Sequence, residues 1–229
     1  MRSIQGSLII CFSLLLALPV QAQLDQYSSP SGYGNTYRPR TKNEVKDVVG
    51  TPYLNEDFTS SVIKVKDGTL YEEVMLRYNI MSDEIEFLKS DGQVRSMSSR
   101  DKTQWAIIGK DTIVTRVYGE PEKQKYRHFI LLQGGELQLL LKKKKRFREA
   151  TEPSGYSKGT DPAYVDGAGE FYLCYGADKP ALEAPKKKKE VESFFGAKGE
   201  AMSGYMKQEK LSLKKEEDLL QLVRYYNSL

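Results

Sequence analysis

The sequence predicts a mainly β protein of the α+β class, in which an antiparallel meander is followed by C-terminal helices. Three observations support this: apolar residues that alternate with a period of two, short polar turns between those segments, and a change to helical spacing after residue 184. Because parallel strands need long crossover connections, the short turns indicate antiparallel pairing. The pattern fits a sandwich and a partly open barrel equally well.

A secretory signal peptide is predicted at the N-terminus. Arg2 precedes the apolar run SLIICFSLLLALPV, and Val20 and Ala22 are compact residues at the two places that a signal peptidase recognises. The predicted signal is 1–22, cleaved between Ala22 and Gln23, because the run is too short to span a bilayer. No later segment is apolar enough to cross a membrane. We therefore expect an exported protein that is periplasmic, outer-membrane-associated or extracellular.

The mature chain divides into three parts by composition. Residues 23–43 are rich in Ser, Gly, Tyr, Asn and Pro without an apolar period, which predicts a flexible segment. The β domain is predicted over 44–184 and the helical segment over 185–229. Cys174 alone remains after signal cleavage, which excludes an internal disulfide, and its apolar surroundings predict a small buried hydrophobic residue.

Alternation and turn signals predict the individual strands. In TLYEEVMLRYN, we expect Leu70, Val74, Leu76 and Tyr78 on the buried face and Tyr71 on the exposed face. Asp-Gly pairs supply hairpin turn signals before this strand and after the next one. Further strands are predicted in SVIKV, DEIEFLK, QWAIIG, TIVTRVY, YRHFILL, ELQLLLK and EFYLCY.

Helical spacing begins after Pro185. Several glycines between residues 191 and 206 predict a weak or broken helix there. The final helix is firmer, with Ser212 as its expected cap. One apolar face is formed by Leu219, Leu222, Val223 and Tyr226. We expect this face to pack against the sheet, with binding to a partner protein as the alternative.

Three stretches carry a resemblance to a protein family: GTPYLNEDF, the hairpin VMLRYNIMSDEIEF and the C-terminal KKEEDLLQLVRYYNSL. Together they resemble a group of uncharacterised exported proteins of Bacteroidota-type bacteria, over most of the chain from about residue 50 to the end. The resemblance implies a location in a Gram-negative cell envelope. It implies no activity and no catalytic residues.

GYSKG, at residues 155–159, fits the G-x-S-x-G pattern of a serine-hydrolase nucleophile elbow, with Ser157 as the nucleophile. An elbow needs a strand directly before it and a helix directly after it, whereas prolines and glycines around this motif predict a loop. The single histidine, His128, lies upstream in a strand-like segment. One histidine and one mature cysteine also fall short of a usual zinc site. We therefore predict no catalytic residue, cofactor or metal.

Carboxylates offer a second route to hydrolysis. Glu84 and Glu86 share one strand face, as the two carboxylates of a glycosidase would. The alternation in DEIEFLK turns Ile85 and Phe87 inward, so the two glutamates are expected to be solvated rather than catalytic.

Basic residues form the candidate contact site. The apolar strand ELQLLL continues into a run of cations, namely Lys142, Lys143, Lys144, Lys145, Arg146 and Arg148. Export argues against nucleic acid as their partner, and an anionic envelope surface such as lipid headgroups or lipopolysaccharide suits their charge. The alternative is a charged strand end that discourages edge-to-edge aggregation.

The leading expectation is an exported, non-catalytic envelope protein with a binding or structural role. Its expected partner is an envelope protein, a lipid or a glycan. The first alternative is a carrier of an apolar ligand such as a lipid, enclosed by a curved meander and a helical lid. The second alternative is a hydrolase that uses dispersed carboxylates or Ser157.

Signal cleavage supplies a first test. When the full chain is expressed in a Gram-negative host, we expect the exported protein to begin at Gln23, as measured by mass spectrometry of the intact chain and its N-terminal peptide. Ala22→Trp puts a large side chain where the peptidase needs a small one and should leave the signal attached. A wild-type product that retains residues 1–22 would contradict the prediction.

Overall fold

Strands form the largest share of the described residues, and the α-helices lie in the last fifth of the chain. The computed structural model describes residues 28–30, 48–97, 103–119, 121–156 and 158–229. Its strands, in chain order, are β1 Ser28–Pro30, β2 Thr59–Val65, β3 Leu70–Asn79, β4 Glu84–Leu88, β5 Val94–Met97, β6 Thr103–Ile108, β7 Asp111–Tyr118, β8 Lys125–Gln133, β9 Leu137–Lys142, β10 Lys145–Arg148, β11 Ala163–Asp166, β12 Glu170–Tyr175 and β13 Leu182–Glu183. The α-helices are α1 Val191–Phe195, α2 Gly199–Gln208 and α3 Glu216–Tyr226. Strand makes up 44% and helix 20% of the structure, which confirms the predicted mainly β class.

Eleven strands form one antiparallel sheet in the order β1-β5-β4-β3-β2-β6-β7-β8-β9-β12-β13, and β10 pairs separately with β11. Two meanders lie side by side in this sheet, β2 to β5 and β6 to β9, and they join where β6 pairs with β2. Among the described residues, no pairing joins the two ends of the order, β1 and β13. The sheet is therefore not a closed barrel.

The first predicted boundary of the mature chain, between residues 43 and 44, lies outside the described residues. Within the segment predicted to be flexible, β1 pairs with β5, with Ser28 opposite Met97. The other residues of 23–43, and the predicted signal 1–22, lie outside the described residues. At the second boundary, the last strand ends at Glu183 and the first helical turn begins at Lys188.

Contacts across the sheet show that it curls around its own core. Neighbouring strands lie about 4.8 Å apart, so β3 and β9, five steps apart in the order, would be roughly 24 Å apart in a flat sheet. The Lys142 ammonium at the end of β9 nevertheless lies 3.3 Å from the Tyr78 hydroxyl of β3. The rings of Tyr78 and His128, which is on β8, have centroids 5.9 Å apart. Of the two predicted architectures, the sheet therefore forms the partly open barrel.

A β-bulge in β3 corrects the predicted orientation of two side chains. The pairing of β2 with β3 shifts register there, and Glu73 has a left-handed φ of 56°. Tyr71 turns into the core, and Leu70 is 46% exposed. This is the reverse of the predicted alternation, because the extra residue of a bulge moves the side chains on one side of it to the other face.

Strand β9 is buried on both faces. Leu137 and Leu139 contact the helices, and Leu141 belongs to the core of the barrel. On the opposite face, Leu140 packs in a third cluster that includes Cys174. Cys174 is a free cysteine and fully buried, which confirms the predicted role as a small hydrophobic residue.

The C-terminal helices cover the end of the sheet formed by β9 and β12. Gly196, with φ 54°, ends α1, and α2 begins at Gly199, where a Cβ would collide with the Glu192 carbonyl. The predicted break in the helix is therefore confirmed. The predicted apolar face of α3 is buried and contacts strand residues, among them Leu137 and Leu173.

The start of α3 differs from the sequence prediction. Ser212 is not its cap, because the helix begins at Glu216 and the N-cap residue is Lys215. Instead, the Ser212 backbone N–H donates to the Asp218 carboxylate at 2.8 Å. Asp218, in the first turn of α3, therefore holds the loop that precedes the helix. In the usual arrangement, a side chain before the helix accepts a hydrogen bond from a backbone N–H of the first turn.

Asn227 fastens the end of α3 to the sheet. Its side-chain oxygen accepts a hydrogen bond from the Leu137 N–H at 2.8 Å, and its side-chain nitrogen donates to the Leu137 carbonyl at 2.9 Å. The amide thus pairs with β9 as a neighbouring strand would. Gly135, with φ 132°, leaves room for it, because a Cβ there would overlap the Asn227 amide.

Asn227→Ala tests this attachment. We expect a loss of about 1–3 kcal/mol in the free energy of unfolding, because both backbone groups of Leu137 lose their partner in a partly buried place. Urea denaturation measures the change. Asn55→Ala, at an exposed residue, is the matched control and should change stability by less than about 0.5 kcal/mol. Equal effects of the two substitutions would show that Asn227 does not hold the helix.

Candidate anion-binding surface

The predicted basic segment runs from the end of β9 through β10, and contacts divide its six cations into two groups. One group has carboxylate partners within the chain: Lys142, Lys144 and Lys145. The other group is exposed and has no carboxylate partner in the described part of the chain: Lys143, Arg146 and Arg148. Arg148 makes one long contact, 3.4 Å to the Asp161 carbonyl.

Lys142 is the innermost of these cations. Its ammonium contacts Asp83 and donates to the Tyr78 hydroxyl at 3.3 Å and to the His128 carbonyl at 2.9 Å. An ammonium has three N–H donors, so all of them are used inside the chain. Tyr78 also donates to Asp83 at 2.7 Å, and Arg127 Nε lies 3.8 Å from the second carboxylate oxygen. Lys142 therefore stabilises the fold rather than offering a hydrogen bond to a ligand.

Lys144 and Lys145 also pair within the chain. Lys144 Nζ lies 2.6 Å from a Glu170 carboxylate oxygen, in an exposed ion pair that contributes little to stability. Lys145 donates to the Thr51 carbonyl at 2.8 Å and lies 3.5 Å from Asp166, its cross-strand neighbour on β11. Lys145 thus ties the β10–β11 ribbon to the segment that precedes β2.

The outward basic face consists of the remaining three cations, Lys143, Arg146 and Arg148. Arg146 and Arg148 are exposed, whereas Phe147 between them is half-buried. Phe147 packs against Tyr164, its cross-strand neighbour on β11, with ring centroids 5.2 Å apart, a contact within the ribbon. Residues two apart in a strand lie on one side, about 7 Å apart. The two guanidinium groups therefore project from the same side of the ribbon.

A small pocket of about 170 Å³ is lined by Lys142 and Lys144 of the basic segment. Its lining consists of Tyr118, Arg127, Phe129, Lys142, Lys144, Glu170 and Tyr172. The rings meet edge to face, with the Tyr172 centroid 5.4 Å from Tyr118 and 5.1 Å from Phe129. The three cations of the pocket each lie within 4 Å of a carboxylate oxygen. The outward basic face therefore carries more uncompensated charge than the pocket does.

Burial and neighbouring charges set the protonation of these groups. Burial alone would raise the pKa of the Asp83 carboxyl, but His128, Lys142 and Tyr78 together hold that pKa below its usual value. The hydrogen bond from Lys144 lowers the pKa of Glu170. Asp83 and Glu170 are therefore carboxylates at neutral pH, so their ion pairs are intact there.

The predicted solvation of Glu86 is wrong. Its carboxylate is fully buried and accepts a hydrogen bond from Arg77 Nε at 2.8 Å. The Arg77 guanidinium lies between the rings of Tyr53 and Phe58, at 3.7 and 4.2 Å from their centroids. These rings come from the segment before β2, which covers this face of β3 and β4. Glu84 stays partly exposed.

Of the other residues singled out from the sequence, those that the structure describes do not assemble into a second site. Ser157, Ala22 and Gln23 lie outside the described residues. His128 is 1% exposed, and its Nδ1 lies 3.0 Å from the Thr115 hydroxyl. Within the part of the chain that the structure describes, no three His, Cys, Asp or Glu side chains cluster as a metal site would require. No helix there is long and apolar enough to cross a membrane.

Sequence reasoning missed the carboxylates that hold the basic segment. Asp83 lies in the turn before β4, with a left-handed φ of 60°, and is 59 residues from Lys142. Glu170 lies 26 residues beyond Lys144. One signal was present: a lysine that follows an apolar strand directly begins at the edge of the core and needs a counter-charge. That signal does not identify the partner.

Comparison with protein-family models, with curated proteins and with solved structures gave no match to this chain. Function is therefore inferred from the geometry of its own residues.

Asp83→Asn tests the buried ion pair. We expect a loss of about 3–5 kcal/mol at pH 7, because Lys142 keeps its charge and loses its carboxylate. Asparagine tolerates the left-handed backbone, so the loss reports the charge. The folded pKa of Asp83 is below the unfolded value of about 3.9. Its stabilisation is therefore complete above that value and disappears as the pH falls through the folded pKa.

Urea denaturation between pH 2 and 7 measures both effects. The wild type should lose stability below about pH 4, and Asp83→Asn should lose less over the same interval. Asp57→Asn, at an exposed residue, should follow the wild-type curve. If Asp83→Asn shows the full acid dependence of the wild type, another group is responsible for it.

Proposed function

We propose that this protein is an exported, non-catalytic component of a Gram-negative cell envelope that attaches to an anionic lipid surface through its outward basic face. One observation carries the proposal. Three exposed cations of one basic run, Lys143, Arg146 and Arg148, have no carboxylate partner among the described residues, whereas the other three do. No carboxylate among the described residues neutralises these three, so their charge is available to an external anion.

The geometry of the ribbon suits a phosphate-bearing surface. Arg146 and Arg148 project from one side of a ribbon that Lys145 ties to the segment before β2. A guanidinium group binds phosphate through two parallel hydrogen bonds. Each Lys or Arg near an anionic membrane contributes about 1 kcal/mol of attraction. The three cations together supply a weak, salt-sensitive attachment.

Export supports an envelope partner over a cytosolic one. It rests on the predicted signal 1–22 with cleavage at Ala22–Gln23, and on the resemblance to exported proteins of Bacteroidota-type bacteria. Anionic lipids and lipopolysaccharide are the phosphate-bearing surfaces of that compartment, and nucleic acid is not expected there.

The two alternative functions receive less support from the geometry. The apolar residues of the helices contact Leu137, Leu139 and Leu173 of the sheet directly, so they fill the space that a carried lipid would need. For the hydrolase, Glu86 is held by Arg77 in a buried ion pair, and Ser157 lies outside the described residues.

Vesicle binding tests the proposal. The mature chain should sediment with phosphatidylglycerol vesicles at low salt and should not sediment with phosphatidylcholine vesicles. Neutralising the outward basic face with Lys143→Gln, Arg146→Gln and Arg148→Gln should weaken binding roughly 100-fold, since each cation contributes about 1 kcal/mol. Raising the ionic strength to 0.5 M should weaken the wild type in the same way.

A matched control distinguishes binding through this surface from a general effect of the protein's net charge. Lys188→Gln, Lys189→Gln and Lys207→Gln remove the same charge from exposed lysines of the helical segment. That variant should bind nearly as the wild type does. Equal losses for the two triple variants, or equal binding of the wild type to both vesicles, would refute attachment through the outward basic face.

A further inference from the structure

A cavity of about 360 Å³ lies where β6 and β7 separate. Their pairing ends with Trp105 opposite Val114. Farther along β7, the loop after β12 takes the place of β6, and the Ala181 N–H donates to the Val117 carbonyl at 2.8 Å. The side chains that matter here are Lys66, Thr103, Arg116, Tyr126, Asp178 and Lys179. None of them lines the pocket at Lys142 and Lys144.

Arg116 is the buried cation of this cavity. It is 6% exposed. Two of its nitrogens donate hydrogen bonds, Nη1 to the Thr115 carbonyl at 2.8 Å and Nη2 to the Gln138 side-chain oxygen at 2.9 Å. Its Nε is buried and has no hydrogen-bond partner in the described part of the chain. A guanidinium has five N–H donors, so the group retains capacity for an acceptor.

Arg116 also lacks a counter-ion. No carboxylate in the described ranges lies within 4 Å of it, and Asp178 acts on it from a greater distance. The neighbouring Cys174 supplies no negative charge, because burial raises the pKa of its thiol. Burial likewise lowers the pKa of Arg116. A buried charge without a partner is costly, so this arrangement favours an anion from outside the chain.

Thr103 provides a second, independent indication. It is fully buried, and its hydroxyl has no hydrogen-bond partner among the residues that the structure describes. A buried hydroxyl left unpaired destabilises the folded state, and few occur in native proteins. Two lysines add positive charge to the cavity: Lys179, and Lys66, which donates to the Tyr126 hydroxyl at 3.1 Å.

We propose that this cavity binds a small oxyanion, a carboxylate or a phosphate, with Arg116 as its principal partner and the Thr103 hydroxyl as a second donor. Lys66 and Lys179 add to its attraction, and Asp178 weakens it. This site is independent of attachment through the outward basic face, because the two use different residues. The protein thus has a surface for an extended anion and a cavity for a small one.

Calorimetric titration and thermal melting of the mature chain test the proposal, with inorganic phosphate and acetate as probes and chloride at matched ionic strength as control. Phosphate, acetate or both should bind saturably and raise the melting temperature. The tighter probe identifies the preferred oxyanion. If neither binds more than chloride does, the proposal is wrong.

Substitutions then assign the residues. Arg116→Gln should weaken binding by about 10-fold or more, the loss expected for a charged hydrogen bond. Asp178→Asn removes the opposing carboxylate and should tighten binding roughly 3-fold. Lys110→Gln, an exposed lysine at the other end of β6 and β7, should leave binding unchanged. Weaker binding by Asp178→Asn, or equal binding by Lys110→Gln and a folded Arg116→Gln, would overturn the assignment.

Thr103→Val keeps the test decisive if Arg116→Gln does not fold. Valine has nearly the shape of threonine and removes the unpaired hydroxyl. Without oxyanion, it should melt about 2–4 °C above the wild type. It should also show a smaller rise on adding the bound probe. A Thr103→Val protein that melts lower and binds the probe as well as the wild type would show that the hydroxyl is not a ligand.

Discussion

The ion pair between Lys142 and Asp83 is the contact on which the shape of the sheet depends. Lys142 lies at the end of β9, and Asp83 lies in the turn between β3 and β4. These strands are on opposite sides of the curl, so the ion pair and the Tyr78 hydroxyl join parts of the sheet that a flat arrangement would hold far apart. A buried pair of this kind contributes more to a unique geometry than to net stability. Here it specifies how far the open barrel closes.

Strand β9 connects that closure to the rest of the fold. Leu141 faces the barrel core, while Leu137 and Leu139 lie under the helices. Along one face of β9, the chain therefore contributes first to the cluster under the helices and then to the barrel core. The Asn227 amide pairs with the Leu137 backbone and brings α3 onto this extension of the sheet. The near-continuous apolar run ELQLLL follows from burial on both faces. The chain can become polar only where the run ends, at Lys142.

Local features of this chain were predictable, and features that need a distant partner were not. Alternating apolar residues and turn signals predicted the strands, and glycines predicted the break in the helix. These signals act within a few residues, so the sequence contains them in full. The reversal of Leu70 and Tyr71 required knowledge of a bulge. The burial of Glu86 required the rings of Tyr53 and Phe58, which reach it from a separate segment. The basic run was likewise visible in the sequence, but strand pairing and remote carboxylates decided which of its cations stay free.

Three buried or partly buried cations show how this fold treats charge. Arg77 has the Glu86 carboxylate at 2.8 Å, and Lys142 has Asp83. Arg116 is as buried as these, yet its hydrogen bonds go to a backbone carbonyl and a neutral amide. The Cys174 thiol beside it supplies no negative charge, because burial raises the pKa of that thiol. Since the same chain provides carboxylates for the first two cations, the missing carboxylate at Arg116 is better explained by a site for an external anion than by general tolerance of buried charge. The unpaired Thr103 hydroxyl at the same cavity follows from the same cause.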